Sequence, residues 1–127
     1  MTDLVTLLIG TTKGAFLIAG AADRTEWSLR GPFGDLWTIN HMIGDPDTGR
    51  IWAAGGNEWT GAGVWRSEDN GQTWALAKLA DGQQDDWARN DPHMAELFDL
   101  NPGPPAPFTG DIDSVWSQCF AHGVLYA

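Results

Sequence analysis

Side chains able to do acid–base chemistry are concentrated in one acidic stretch of the sequence. They are Asp85, Asp86, Arg89, Asp91, His93 and Glu96. Hydrolysis of a glycosidic bond needs two carboxyl groups that face each other across a cleft, one as acid and one as base or nucleophile. A solvated acidic loop has the same composition, and we favour that simpler interpretation. The stretch therefore predicts no catalytic residue by itself.

Two further polar residues, Asn40 and His41, lie on a predicted strand. An amide and an imidazole can each donate and accept hydrogen bonds, which makes both residues candidates for ligand binding. A lone histidine is more often hydrogen-bonded within a core, and that alternative stays open. No metal site is predicted, because His93, His122 and Cys119 lack the spacing of zinc ligands.

The charge and the missing motifs argue against several functions. Seven basic and seventeen acidic residues give a net charge of −10, which repels phosphate backbones and anionic membranes, so neither nucleic acid nor a membrane is expected as a partner. The sequence lacks a phosphate-binding loop, a dinucleotide-binding glycine motif, G-x-S-x-G and H-E-x-x-H, and no cofactor is expected. A single cysteine, no secretory leader pattern and no apolar run of roughly 20 residues predict a cytoplasmic protein.

Short apolar or alternating runs between turn residues predict an all-β fold. Sixteen glycines and seven prolines favour many turns over long helices. A first hairpin is predicted from residues 4–9 and 15–18, with its first strand buried on both faces. Four successive antiparallel strands are then predicted at residues 37–43, 50–55, 63–67 and 73–78. A last hairpin is predicted from residues 115–120 and 124–127.

An acidic, proline-rich stretch over residues 79–110 predicts a long insertion between groups of strands. Within it, Asp91 followed by Pro92 predicts the start of a short helix, because aspartate caps helix N-termini and proline fits the first helical position. The apolar residues that this helix is expected to bury are Met94, Leu97 and Phe98.

The most specific motif has the pattern S-x-D-x-G-x-x-W. Ser67 and Asp69 offer side-chain oxygens to the N–H groups of a tight turn, and Gly71 can take a positive φ without a Cβ clash. Trp74 is expected to hold the turn by packing its ring beneath it. These four residues therefore predict a defined turn between two strands.

This motif resembles the Asp-box (BNR) repeat of β-propellers, which occurs in sialidases and sortilin-type receptors. A degenerate copy that keeps Asp23 and Trp27 but lacks the serine and the glycine precedes it. Phe16 and Trp65 stand at matching places 49 positions apart, close to the roughly 40 to 50 residues of propeller repeats. The resemblance implies blades of four antiparallel strands and a structural role for the box, away from the central tunnel.

Under this resemblance the whole chain is a partial propeller of about two and a half blades. Its parts are an incomplete first blade without an inner strand at 1–30, a complete blade at 37–78, an insertion at 79–110 and the start of a third blade at 111–127. A ring of four to eight blades needs roughly 160 to 400 residues, so the 127-residue sequence is expected to be an N-terminal fragment.

The resemblance leaves two functions open. The preferred one is a non-catalytic or catalytically incomplete segment, whose parent binds a glycan, a small ligand or a protein on the tunnel face that Asn40 and His41 would line. The alternative is a glycoside hydrolase of the sialidase-like superfamily. A sialidase resemblance implies three arginines, a tyrosine paired with a glutamate, and an aspartic acid. The only tyrosine here is Tyr126 and no Arg-Ile-Pro motif occurs, so a complete sialidase site is not expected.

Overall fold

The computed structural model describes residues 4–108 and 112–127, and these are mostly β with two short helices. The predicted boundary between residues 110 and 111 lies outside the described residues, as does the start of the first predicted unit. The elements are β1 (Leu4–Thr11), β2 (Gly14–Ala21), β3 (Trp27–Phe33), β4 (Ile39–Asp45), β5 (Arg50–Asn57), β6 (Gly61–Ser67), β7 (Ala75–Ala80), α1 (Gln83–Asn90), α2 (Pro92–Leu97), β8 (Cys119–Ala121) and β9 (Val124–Tyr126).

The centre of the fold is a four-stranded antiparallel sheet in the order β4-β5-β6-β7. Each of its strands overlaps one of the four predicted successive strands. β5 is the most enclosed of them, with six of its eight residues buried. It is enclosed because it pairs along both edges and packs on both faces.

Apolar side chains cover both faces of this sheet. Because successive residues of a strand point to opposite faces, Trp52 and Ala53 enter different cores. Trp52 packs in a cluster with Val115 of the C-terminal segment. Ala53 packs in a second cluster with Trp37 and with Ala15 of β2. The sheet therefore lies between the first three strands and the C-terminal segment.

The first three strands form a separate antiparallel sheet in the order β1-β2-β3. The prediction that β1 is buried on both faces is wrong, since Leu4 is 72% and Leu7 47% exposed. The reason is its position, because β1 pairs only with β2 among the described strands. An apolar run of this kind is compatible with an edge strand as well as a central one.

The predicted helix is present as α2. It begins at Pro92, and the side chain of Asp91 caps it by accepting a hydrogen bond from Met94 N at 3.1 Å. The expected burial is wrong, since Leu97 at the end of the helix is 64% exposed, Phe98 just after it is 50% exposed, and Met94 is only half-buried. The helical spacing of these residues was predicted correctly. A two-turn helix can nevertheless lie at the surface with its apolar side uncovered.

The other helix, α1, was not predicted, because its sequence is polar and carries no apolar stripe. Local polar contacts hold it instead. Asp85 Oδ2 accepts a hydrogen bond from Gly82 N at 2.8 Å at the start of the helix and pairs with Lys78. Arg89 in the last turn pairs with Asp81 at 2.7 Å. An acidic first turn and a basic last turn both complement the helix dipole.

The last two strands form a short hairpin of β8 and β9. The prediction of a strand from residue 115 is wrong at its start, because β8 begins at Cys119. Residues before it bind the central sheet through single hydrogen bonds instead of a ladder. Val115 N donates to Gly55 O at 3.2 Å, and Gln118 Nε2 donates to Trp52 O at 2.9 Å. These bonds run from the segment to backbone carbonyls of β5.

Candidate functional site

The S-x-D-x-G-x-x-W motif forms a hydrogen-bonded turn between β6 and β7. Ser67 is fully buried, and its Oγ accepts from Gly71 N and donates to Asp69 Oδ1, both at 2.8 Å. Asp69 Oδ1 accepts from Thr73 N at 2.8 Å, and Oδ2 accepts from the Thr73 hydroxyl. Trp74 Nε1 donates to Gly71 O at 3.1 Å, and Gly71 has a φ of 88°. Every motif side chain is thus used within the turn.

These hydrogen bonds also determine the charge of the turn. Bonds from the Thr73 side chain, the Thr73 backbone and the Ser67 hydroxyl, in that order, lower the pKa of Asp69 from 3.8 to about 2. A carboxyl group that acts as a general acid near neutral pH needs a raised pKa. Asp69 therefore stays ionised and suits a structural role.

The same turn joins the two larger sheets. A Cβ on Gly71 would lie 3.2 Å from both δ-methyl groups of buried Leu17 on β2. Arg30 of β3 donates to Asn70 O at 3.0 Å. The rings of Phe33 and Trp74 lie 5.6 Å apart. The turn therefore stabilises the contact between sheets as well as its own hairpin.

In the degenerate copy of the motif, different side chains accompany the same hydrogen-bonded turn of the backbone. Trp27 Nε1 donates to Arg24 O at 3.1 Å, the same three-residue step as in the later turn. Arg24 has a φ of 59°, so a non-glycine residue takes the place of Gly71. Asp23 accepts from Thr25 N at 3.1 Å. When Trp27 is aligned with Trp74, Asp23 corresponds to Asn70 of the later turn. The turn shape is thus kept with a non-glycine residue in the left-handed region.

The predicted binding residues, Asn40 and His41, are tied to the C-terminal segment. Asn40 Nδ2 donates to Ser114 Oγ at 2.6 Å and to Val115 O at 3.1 Å. His41 Nδ1 accepts from Gln118 N at 3.2 Å, which requires Nδ1 to be unprotonated. The proton of the neutral ring is then on Nε2. Both side chains have internal partners, and their role in ligand binding stays a prediction.

Most acidic residues of the insertion also have structural partners. Asp85 caps α1 and pairs with Lys78, and Asp91 caps α2. Asp86 Oδ1 accepts from Asn90 Nδ2 at 2.8 Å within α1. Carboxylates held in this way are not directed at a common cleft. The structure therefore brings no pair of them together for acid–base catalysis within the described part of the insertion.

A pocket that the sequence did not predict lies between the β5–β6 turn and the start of α1. Its volume is about 490 Å³. The lining residues are Asn57, Glu58, Trp59, Asp81, Gly82, Gln83, Ile112 and Asp113. Asn57 Oδ1 shapes the turn by accepting from Trp59 N and Thr60 N, each at 2.9 Å. The feature of the sequence that could have indicated this site is Trp59, a tryptophan inside a tight polar turn.

Two aromatic rings hold Trp59 in place. Its ring centre lies 5.3 Å from that of Trp87 and 5.6 Å from that of Phe98, both edge-to-face. Trp87 and Phe98 in turn stack on each other at 5.7 Å. Trp59 as a residue remains 36% exposed, and Phe98 beside it is 50% exposed. The cluster therefore presents aromatic surface to solvent at a fixed position.

The pocket has an acidic rim. Glu58, Asp81 and Asp113 line it, and no lysine or arginine is among the described residues that line it, although Arg89 pairs with Asp81 at 2.7 Å. The hydrogen bond from Arg89 lowers the pKa of Asp81, so this carboxyl group stays ionised. Among residues 4–108 and 112–127, no group of three or more His, Cys, Asp or Glu side chains is arranged to hold a metal ion. The rim suits hydroxyl donors and disfavours anions.

Comparison with known sequences adds no family assignment. No protein-family model matches the chain. No curated protein matches it at a significant level. Neither helix in the described part of the chain has the length and apolar character needed to cross a bilayer.

Proposed function

We propose that this chain is a segment of an Asp-box β-propeller and that its function is to bind a neutral glycan, not to hydrolyse one. The site is the pocket beside Trp59. The resemblance allows a glycan, a small ligand or a protein as the binding partner. A glycan fits this pocket better than the flat surface of a protein partner would. Pockets that enclose a ligand on several sides suit small molecules and sugars.

The propeller assignment rests on the central sheet. Its four antiparallel strands run in sequence order, which is the arrangement of a propeller blade. The Asp-box turn joins the third and fourth strands, as the motif requires. The turn that contains Trp27 joins the corresponding strands of the first sheet and lies 47 positions earlier than the one that contains Trp74. Two similar units packed against each other support a repeat architecture.

Glycan binding rests on one observation, the exposed indole of Trp59 beside a carboxylate rim. Sugar rings have apolar faces that pack on aromatic rings, and hydroxyl groups that donate to carboxylates. Because Trp59 is supported by two other rings, it would lose little conformational freedom on binding. Glu58 and Asp113, the two rim carboxylates that no described cation pairs with, repel a sialic acid, which carries a carboxylate of its own. A neutral oligosaccharide is therefore the expected ligand.

Hydrolysis remains the second candidate because of two carboxylates in the same pocket. Glu58 and Asp113 are exposed, and neither has a side-chain partner among the described residues. They are available for acid–base chemistry in a way that Asp81 is not, since Asp81 is bound by Arg89. Retaining and inverting glycosidases both need such a pair. This candidate would act on neutral substrates and not on sialosides.

The test is a titration of the isotopically labelled chain with neutral tetrasaccharides of glucose, xylose, mannose and N-acetylglucosamine. Sialyllactose serves as the anionic comparison. The indole N–H signals of the eight tryptophans are followed by NMR, with Trp59 assigned through Trp59→Phe. We expect one neutral oligosaccharide to shift the Trp59 signal in a saturable manner. Absence of binding by all four would refute the proposal.

Four variants separate binding from hydrolysis. Trp59→Ala should abolish binding, whereas Trp116→Ala should not, because Trp116 is 75% exposed and does not line the pocket. Glu58→Gln should leave binding within about threefold, since a neutral amide can still accept from a hydroxyl. Release of reducing sugar that disappears in both Glu58→Gln and Asp113→Asn would establish the hydrolase instead.

A further inference from the structure

The first sheet, β1-β2-β3, has an apolar face that points away from the central sheet. On β2, Ala15 and Leu17 are buried toward the central sheet, Ala15 in the shared cluster and Leu17 beside Gly71. Because side chains alternate along a strand, the residues between and after them point the other way. Residues directly opposite each other in an antiparallel pair lie on the same face. The register therefore assigns to this outer face Leu7, Ile9, Phe16, Ile18, Trp27 and Leu29.

The outer face of the first sheet is exposed and uncharged. Leu7 is 47%, Trp27 41% and Leu29 63% exposed. Arg30 is the only charged residue of the three strands, and it lies on the other face, opposite buried Leu17. Several exposed apolar side chains grouped on one face mark an interaction surface.

The central sheet shows what such a face packs against. Its Trp65 and Trp74 stand at the places that match Phe16 and Trp27. Trp65 and Trp74 are half-buried, and both pack in the cluster that the central sheet shares with the first sheet. The ring of Trp74 lies 5.6 Å from that of Phe33 on β3. This face of the central sheet is thus covered by the preceding unit, whereas the matching face of the first sheet is covered by none of the described units.

A second exposed apolar face lies at the C-terminal hairpin, β8 and β9. Phe120 points to the central sheet and stacks on Trp52 at a ring distance of 4.7 Å. Cys119 precedes it on β8 and therefore points away, as do its partner Tyr126 and, two residues earlier on β9, Val124. Tyr126 is 57% and Val124 48% exposed. The first sheet and this hairpin lie on opposite sides of the central sheet, so their outer faces are the two ends of one row.

The charge distribution favours a contact between these two ends. The chain has a net charge of −10, yet neither residues 4–11, 14–21 and 27–33 nor residues 115–126 contain an aspartate or a glutamate. A contact between the two ends of different copies would bury apolar side chains from both and no carboxylate. It would also continue the packing order that already joins the first sheet, the central sheet and the hairpin within one copy. A second copy of this chain is therefore the partner that fits.

We propose that copies of this chain associate head to tail, with the outer face of the first sheet of one copy packed on the outer face of the C-terminal hairpin of the next. Such a contact is heterologous, because two different surfaces meet. The proposal rests on the match between the first two units, which also supports the propeller assignment, and not on the pocket beside Trp59. Glycan binding and head-to-tail association can therefore be refuted independently.

Blocking one end at a time tests the contact. Leu29→Glu places a carboxylate on the first sheet, and Val124→Glu places one on the hairpin, both at exposed positions. Molecular mass is measured by sedimentation equilibrium from about 1 to about 200 μM, since weak interfaces have about micromolar affinities. We expect the mass of the unaltered chain to rise with concentration and each variant alone to associate at least about tenfold more weakly, because its contact buries an unpaired charge. An equal mixture of the two should form a heterodimer, in which the intact first sheet of Val124→Glu meets the intact hairpin of Leu29→Glu.

The matched control is Leu97→Glu, because Leu97 is 64% exposed, close to the 63% of Leu29, and belongs to neither outer face. It should associate like the unaltered chain. A symmetric contact between two first sheets predicts a different result, since Val124→Glu would then associate alone. That result, or an unaltered chain that stays monomeric up to about 200 μM, would overturn the proposal. The second of these observations does not require a variant to fold.

Cys119 provides a second readout, because it lies on the outer face of the hairpin, is exposed and is the only cysteine in the sequence. Head-to-tail association should cover it. The rate constant for its modification by a maleimide should therefore be at least about twofold lower at about 200 μM chain than at about 1 μM, and should not depend on concentration in Leu29→Glu. Modification at the same rate at both concentrations in the unaltered chain would contradict the proposed contact.

Discussion

Adding a single methyl group at Gly71 is the most direct test of the structure. It has a φ of 88°, and a Cβ there would lie 3.2 Å from two methyl carbons of buried Leu17. Gly49, in the neighbouring β4–β5 turn, has a similar φ of 75°, but a Cβ there would meet no atom closer than 3.8 Å. Gly71→Ala and Gly49→Ala therefore share the backbone strain and differ in packing.

The expected magnitudes follow from these contacts. Alanine in the left-handed region costs roughly 1–2 kcal/mol of unfolding free energy, and this applies to both positions. At Gly71 the new methyl group must also displace Leu17, and overpacking of a core costs roughly 1–3 kcal/mol more. Gly71→Ala should thus destabilise the chain by roughly 2–5 kcal/mol and Gly49→Ala by roughly 1–2 kcal/mol. Gly71→Val should be at least as severe as Gly71→Ala.

The assay is urea unfolding followed by tryptophan fluorescence, with the midpoint and slope compared across variants. Combining Gly71→Ala with Leu17→Val should remove the packing term, because valine lacks the δ-methyl groups that the new Cβ meets. In that background the cost of Gly71→Ala should approach that of Gly49→Ala. Equal costs at Gly71 and Gly49 in the unaltered background would show that the turn does not pack against Leu17.

Three further outcomes are expected. Because the pKa of Asp69 is depressed from 3.8 to about 2, its carboxylate stabilises the fold above pH 4, and this contribution is lost as the pH falls from about 4 to about 2; the stability of Asp69→Asn should change less over that range. Asn40→Asp places a carboxylate against Val115 O and should increase hydrogen exchange in residues 112–118, whereas exposed Asn101→Asp should not. The purified chain should leave a fluorogenic sialoside intact, and turnover would contradict the acidic-rim argument.

Local features of the fold were predictable because local residues determine them. The four central strands follow from short β-branched and aromatic runs between turn residues. The cap at Asp91 and the positive φ of Gly71 each depend on one residue type in a known place. Such features need no knowledge of what packs against them, and the sequence by itself determined them.

Only the tertiary structure decided which residues are buried and which distant residues contact each other. The apolar run of β1 occurs on an exposed edge, and Leu97 faces solvent, because exposure depends on which neighbours are present. The sequence proposed His41 as a binding residue, but its contact with Gln118 joins positions 77 residues apart. The pocket beside Trp59 likewise combines a hairpin turn with the start of α1 and Asp113. Contacts between distant segments carry no local pattern, so the candidate sites became visible only once the chain was folded.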